Sequence, residues 1–214
     1  MNRHDQWATG PTTGPVDNAL TAPIPAVGHT SDATVVSAEQ SQIPIELDGV
    51  RKAFGSFQVL DGVSAKFRHN EITTVLGPSG TGKSVLLKHI VGLLEPDEGS
   101  VRIFGQDLWT LKESKRFEIR KRFGLLFQDG ALFGSMNIYD NVAFPLRKHT
   151  DMSEKEIREI VMHYLGEVGL ENAVDRAPNE ISGGMRKRAG FARALVMKPE
   201  IIMCDEPDSG LDPV

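Results

Sequence analysis

An α/β fold is what this sequence predicts, on three observations: a glycine-rich turn between a strand pattern and a helix pattern, a long helical block, and an apolar run that ends in two acids. The turn comes first. Gly77, Pro78, Ser79, Gly80, Thr81, Gly82, Lys83 and Ser84 fit G-x-x-x-x-G-K-[ST] at every fixed position. Residues 72–76 are short, apolar and β-branched, which predicts a buried strand, and residues 83–90 have helical spacing. Gly77, Gly80 and Gly82 let the backbone curl so that successive N–H groups converge on one anion. The N-terminus of the following helix adds partial positive charge. In such a cradle Lys83 reaches the β- and γ-phosphates and Ser84 offers its hydroxyl to Mg²⁺. The plainer reading, a glycine turn with a surface lysine, loses ground to the strand and helix patterns on either side.

A chain of 214 residues with 40% hydrophobic content suits one domain, or one with a small subdomain, and a sizeable core. A net charge of −5 and a pI near 5.7 give no electrostatic reason to expect nucleic acid, and the basic cluster between Arg116 and Arg122 reads as a solvated face. The single cysteine, Cys204, excludes an internal disulfide and agrees with a reducing compartment. No apolar run approaches the roughly 18 residues of a membrane span, and the N-terminus lacks the apolar core of a signal peptide. The expected location is therefore cytoplasmic, with any membrane role coming through a partner.

Residues 1–42 contain Pro11, Pro15, Pro23 and Pro25 and no apolar periodicity, so they are expected to form a disordered tail. From Ile43 the pattern turns to strands: Ile45, Leu47 and Val50 open one, residues 52–56 turn, and residues 58–60 and 63–67 return antiparallel. Phe54, upstream of the phosphate loop, is placed to stack on a nucleotide base, although a packing role fits its position equally well. Residues 93–99 close the helix and 100–103 form another strand. Residues 123–128 read as a buried strand with Gln128 at its C-terminal end, the ligand edge of an open α/β sheet, where its side chain meets Mg²⁺, a water or simply solvent.

The helical block runs from Asp129 to about Met197. Ile157, Ile160, Val161, Tyr164, Leu165 and Val168 mark one face of a helix that starts with Ser153 as N-cap and Glu156 completing a capping box. Ser182 caps a second helix, and Gly183 and Gly184 bare its first N–H groups, which makes a second anion-binding end beside the reading of an ordinary capped start. Met185, Ala189, Ala192, Leu195 and Val196 line that helix. Finally residues 200–204 form a strand apolar on both faces, with Cys204 in the core, that delivers Asp205 to hold Mg²⁺ and Glu206 to orient or deprotonate the attacking water.

The phosphate loop, Gln128, Ser182-Gly183-Gly184, and Asp205-Glu206 followed by Ser209-Gly210-Leu211-Asp212 stand in the order that resembles the ABC-transporter ATPase family, over about residues 43–214. The resemblance implies a P-loop NTPase fold with an antiparallel β subdomain and a helical insertion over about 129–197. ATP and Mg²⁺ are the implied cofactors, and the implied assembly is a dimer of two copies that sandwiches two ATP molecules. By the same resemblance Phe54 stacks on the base, Gln128 links nucleotide state to a membrane partner, and Ser182, Gly183 and Gly184 touch the γ-phosphate bound by the opposite copy. Asp212 resembles the acid of a loop that communicates across that dimer.

The stretches 127–137, 181–188 and 206–213 narrow the resemblance to the ATPase of Mce (mammalian cell entry) lipid-import systems of actinobacteria, whose relatives serve phospholipid transport in Gram-negative bacteria. Met185, where most ABC signatures have glutamine, resembles that branch. Permease subunits of such a complex are the implied partners, placing the protein on the inner face of the membrane. The sequence ends at Val214, before the switch histidine and the further strands that the resemblance puts beyond Asp212, so the C-terminal part of the sheet is expected to be missing from this chain. Two other readings compete with this one: an ABC ATPase of translation or DNA repair, and a nucleotide-binding regulator without turnover. Neither paired cassettes nor a basic surface excess supports the first.

Overall fold

The computed structural model describes residues 43–205. The tail expected over 1–42, Glu206 and residues 209–212 lie outside the described residues. Strand β1 (Ile45–Phe54) and strand β2 (Phe57–Phe67) form an antiparallel hairpin in which Ile45 faces Phe67 and Phe54 faces Phe57. The turn is only Gly55-Ser56, with Gly55 at φ +61°, shorter than the 52–56 turn expected. Register shifts between Val50 and Ala53 absorb the irregularity that read as a turn, and the ladder carries on to Phe54.

Helix α1 (Lys83–Ile90) follows the phosphate loop as expected and stops at Val91 and Gly92. Strand β3 (Glu98–Ile103) then returns along the free edge of β1, and β4 (Gln106–Asp107) completes a sheet of order β2-β1-β3-β4. Gly99 makes this pairing possible: at φ +84°, a Cβ there would stand 2.5 Å from the carbonyl oxygens of Asp48 and Gly49. Leu47, Val50, Val101 and Ile103 of the sheet pack with Leu86 and Ile90 of α1, and Leu108 and Ile119 extend this first core. His89 is fully buried there; its Nδ1 lies 2.7 Å from the Val85 carbonyl, and burial pushes its pKa down. The basic stretch expected to be a solvated face forms helix α2 (Glu113–Arg120), where Arg116 and Arg120 bind Glu113 and Arg116 covers the Trp109 ring at 4.5 Å.

Strand β5 (Phe123–Leu126) pairs in parallel with β6 (Ile201–Cys204), Phe123 beside Ile201 and Leu126 beside Cys204. The intervening chain is helical: α3 (Ile138–His149), α4 (Glu154–Glu167) and α5 (Gly183–Leu195). Their second core contains Ile138, Val142 and Leu146, then Ile157, Val161 and Leu165, then Ala189, Ala192 and Val196. The periodic stripe and the Ser153–Glu156 capping box expected for α4 are both present. A Cβ on Gly124 would meet the Ala194 carbonyl oxygen at 2.5 Å, so glycine lets α5 lie directly on β5.

Two expectations need correction. Residues 72–76 form no strand, and Ile72 is fully exposed and Leu76 nearly so. A parallel strand is held by backbone ladders with its neighbours, and among the described residues none pairs with this segment. β-branched, apolar composition states a preference for such a place without supplying the neighbour. For the same reason β6 has one partner among the described residues, its residues alternate in exposure, and Cys204 is exposed instead of lying in the core. No described helix is long and apolar enough to cross a membrane.

Candidate functional site

The phosphate loop meets α1 at Gly82, whose left-handed conformation (φ +90°) makes it an N-cap with no side chain to offer the helix. No acid occupies the first turn of α1 either. The first N–H groups of this helix are therefore available to an external anion. Gly80 is likewise at φ +81°, and residues 77–81 are exposed. A Cβ on Gly82 would stand 2.8 Å from Val59 Cγ1 and 3.2 Å from Leu60 Cδ2, so the loop is seated on β2, the hairpin strand that follows Phe54.

Lys83 lies across the loop. Its Nζ donates to the carbonyls of Gly77 and Pro78, both at 2.9 Å, while Thr81 Oγ1 donates to the Pro78 carbonyl at 2.9 Å. These neutral acceptors hold the ammonium where a phosphate oxygen, a charged and stronger acceptor, would displace them.

Next to Lys83, Ser84 Oγ donates to Asp205 Oδ1 at 3.1 Å across 121 residues of sequence. Asp205 reaches this point because β6 ends one residue earlier and its own N–H is tied to the Leu126 carbonyl at 2.8 Å. A hydroxyl and a carboxylate converging beside a phosphate cradle are the hard oxygen donors that Mg²⁺ takes when phosphates and waters fill its remaining positions. Beside them opens a cavity of about 230 Å³ lined by Ser84, Lys88, Leu125, Phe127, Met203 and Asp205.

Phe54, at the tip of the hairpin, is 49% exposed, with Lys52 Nζ 5.9 Å from its ring centroid. Sequence reasoning missed what steadies it. Asp97 accepts from Lys52 Nζ at 2.6 Å and from the Ala53 N–H at 2.8 Å, clamping the two residues before Phe54. The Lys52 bond first, then the Ala53 bond, holds the Asp97 carboxyl below the ordinary carboxylate range. The only sequence signal was an acid after Pro96, which reads as an ordinary turn.

Gln128 is not at the end of β5. It begins a 3₁₀ turn, Gln128–Ala131, two residues beyond the strand. The loop after that turn is fastened by buried Asn141, whose side chain accepts from the Phe133 N–H at 2.7 Å and donates to the Phe133, Met136 and Asn137 carbonyls. An asparagine inside an amphipathic helix gave no warning of this.

Ser182 is the N-cap of α5 as expected, its Oγ accepting from the Met185 N–H at 3.2 Å. Gly183 and Gly184 form the first turn, which carries no acid, and a Cβ on Gly184 would meet open space. The structure thus gathers the phosphate loop, Lys83, Ser84 and Asp205 at one place. Among the described residues no hydrogen bond or ion pair joins Ser182, Gly183 or Gly184 to that place.

Comparisons to known proteins give the family. The chain is 58% identical over 172 residues to the probable ribonucleotide transport ATP-binding protein mkl of Mycobacterium tuberculosis, a match covering 80% of this chain and 48% of the relative. It is 44% identical to the intermembrane phospholipid transport system ATP-binding protein MlaF of Haemophilus influenzae, covering 79% of this chain and 64% of that one. The chain spans about half the length of the mycobacterial relative. Among solved structures, the ATP-binding cassette MJ0796, a dimer in a post-hydrolysis state bound to ADP and Pi, superposes with a TM-score of 0.73 at 32% identity, covering 78% of this chain and 76% of that one. The family model described as ABC transporter matches residues 60–209, from the second strand of the hairpin to beyond Asp205, and this chain belongs to that family.

Proposed function

We propose that this chain is the ATP-binding and ATP-hydrolysing subunit of an ABC transporter that powers lipid or sterol transport by an Mce-type membrane complex. The observation that carries the nucleotide part is the meeting of Ser84 and Asp205, 3.1 Å apart, beside a helix start that no side chain caps. In this reading residues 77–84 wrap the β- and γ-phosphates with backbone N–H groups, and Lys83 leaves the Gly77 and Pro78 carbonyls for phosphate oxygens. Ser84 and Asp205 would hold Mg²⁺, which would supply charge neutralisation at the phosphates, and Gln128 is proposed as a further ligand of that ion and a contact for the attacking water. Glu206 orients that water and accepts its proton. Phe54 stacks on the adenine from the hairpin tip.

A second copy of the chain supplies Ser182, Gly183 and Gly184 to the γ-phosphate. Among the described residues no hydrogen bond or ion pair joins them to the phosphate loop of their own chain, which supports this, as does the dimeric state named for the similar cassette. Closure around ATP then moves the helical block, α3 to α5, against permease subunits at the inner face of the membrane, and hydrolysis resets it.

The MlaF relative, a phospholipid-transport protein by name, supports a lipid cargo, as does the Mce-like character of the 127–137 and 181–188 stretches. The name of the mycobacterial relative supports a different cargo, a ribonucleotide. One experiment separates the two: purify the full-length protein with its membrane partners, reconstitute it in phospholipid vesicles, and measure ATP-dependent movement of labelled phospholipid, sterol and ribonucleotide. Lipid or sterol movement with no ribonucleotide movement is expected. Ribonucleotide movement alone would overturn the lipid reading, and absence of MgATP binding in calorimetry would overturn the nucleotide reading itself.

A further inference from the structure

Helix α5 and the 3₁₀ turn Gln128–Ala131 approach each other at backbone range. A Cβ on Gly190 would fall 2.6 Å from Gly130 Cα and 2.8 Å from its carbonyl oxygen, and a Cβ on Gly130 would run into the Arg186 carbonyl. Helix and turn therefore touch backbone to backbone, with no side chain between them. One helical turn beyond Gly190, Arg193 crosses the same seam. Its Nη2 donates to the Gly130 carbonyl at 2.8 Å and its Nη1 to the Ala131 carbonyl at 2.9 Å, and its guanidinium lies 5.8 Å from the Phe133 ring centroid.

Three features make this more than incidental packing. Gly130 and Ala131 are both left-handed, at φ +77° and +47°, and a residue with a Cβ rarely adopts that conformation without support. Among the described residues Arg193 makes no ion pair, so the two carbonyls are what satisfy a cation whose burial pushes its pKa down. The planar fork of arginine presents two N–H groups to two adjacent acceptors, which a lysine point charge does not reproduce.

We infer that Arg193 is a positioning residue that fastens the helix beginning at Ser182 to the turn beginning at Gln128, so that these two candidate nucleotide contacts travel as one piece. The inference rests on the nucleotide reading of Ser182 and Gln128 proposed above. Because α5 is a rigid element of 13 residues, a displacement at its Ser182 end appears at its Arg193 end. The two carbonyls then carry it into the turn and the loop that Asn141 fastens.

Two measurements on the full-length protein with its membrane partners test this. In hydrogen exchange without nucleotide, Arg193→Lys is expected to speed exchange in residues 127–137 on the order of tenfold, while residues 83–90 exchange as in the wild type. Unchanged exchange in 127–137 overturns the clamp. In turnover assays, Ser182→Ala and Gln128→Ala are expected to be non-additive in the wild type and to become additive in the Arg193→Lys background. Additivity already in the wild type overturns the claim that the two contacts move together. MgATP affinity is expected to stay within about twofold of wild type in Arg193→Lys, since the phosphate loop is untouched. A protein that bound no nucleotide would sink the reading of the phosphate loop, and the exchange experiment would still decide the clamp.

Discussion

Helices α1 and α4 begin in opposite ways. Every helix start leaves its first N–H groups without intrahelical partners. At α4 the chain answers this itself: Ser153 Oγ accepts from the Glu156 N–H, and the Glu156 carboxylate accepts from the Ser153 N–H and hydroxyl, both at 2.7 Å. Glu154 adds a second acid to that turn. At α1 a left-handed glycine replaces the capping side chain and no acid follows it. The first start is closed and structural, whereas the second keeps its N–H groups and its partial charge for something outside the chain. α5 is intermediate, with Ser182 satisfying one donor while Gly183 and Gly184 stay bare. The few residues around a helix N-terminus thus separate a start that the chain closes itself from one that it leaves open.

If α1 is a binding start and the chemistry lies elsewhere, binding and turnover should separate. Glu206→Gln is expected to cut turnover by about 10²-fold or more while MgATP affinity is unchanged, because only the group that handles the attacking water is lost. Unchanged kcat would sink that assignment. Lys83→Ala is expected to weaken MgATP binding itself, by about 10- to 100-fold, the worth of a charge-assisted contact. Native affinity in calorimetry would make the open start of α1 an ordinary turn. Ser182→Ala is expected to cost about 1 kcal/mol of stability, the usual loss for an N-cap. It should leave MgATP affinity of the isolated chain unchanged and weaken ATP-dependent dimerisation. If affinity fell with stability, α5 and α1 would serve the same nucleotide within one chain.

Where a local rule sets the structure, the sequence was readable. The α1 boundaries follow from the glycine turn and the spacing after it, and the α4 start from Ser153 and Glu156, both problems of a few consecutive residues. The union of Ser84 with Asp205 was legible for another reason: each lies at the end of a recognisable element, and the motif specifies which ends must meet. What could not be read depends on partners remote in sequence. Residues 72–76 have the composition of a buried strand, but a ladder needs a neighbour and none is present among the described residues. Gln128 was assigned to a strand end because an apolar run does not show where its hydrogen bonding stops, and the left-handed Gly130 and Ala131 turn the chain there. Asp97, Asn141 and Arg193 act through backbone groups, which leave no pattern of residue types to find.

The smallest expected effect tests the closed side of the comparison. Ser153→Ala should lower stability by about 1 kcal/mol, the ordinary cost of losing a cap, with MgATP affinity and turnover unchanged. Its partner adds a pH signature. The Ser153 hydroxyl first, then the Ser153 N–H, holds the Glu156 carboxyl below its ordinary pKa of 4.5. A group with a folded pKa below its unfolded one contributes stability that is fully present above the unfolded value and is lost as pH falls through the folded one. Thermal melts of the wild type and Glu156→Gln should therefore differ most near neutrality and converge as the solution is acidified below the ordinary carboxylate range. Glu156 is exposed, so the gap will be small and will need closely spaced pH points. A gap that stayed constant with pH would show that the carboxylate charge does nothing at this start. A change of MgATP affinity in Ser153→Ala would show that α4 is not closed, and the distinction drawn between the two helix starts would fail.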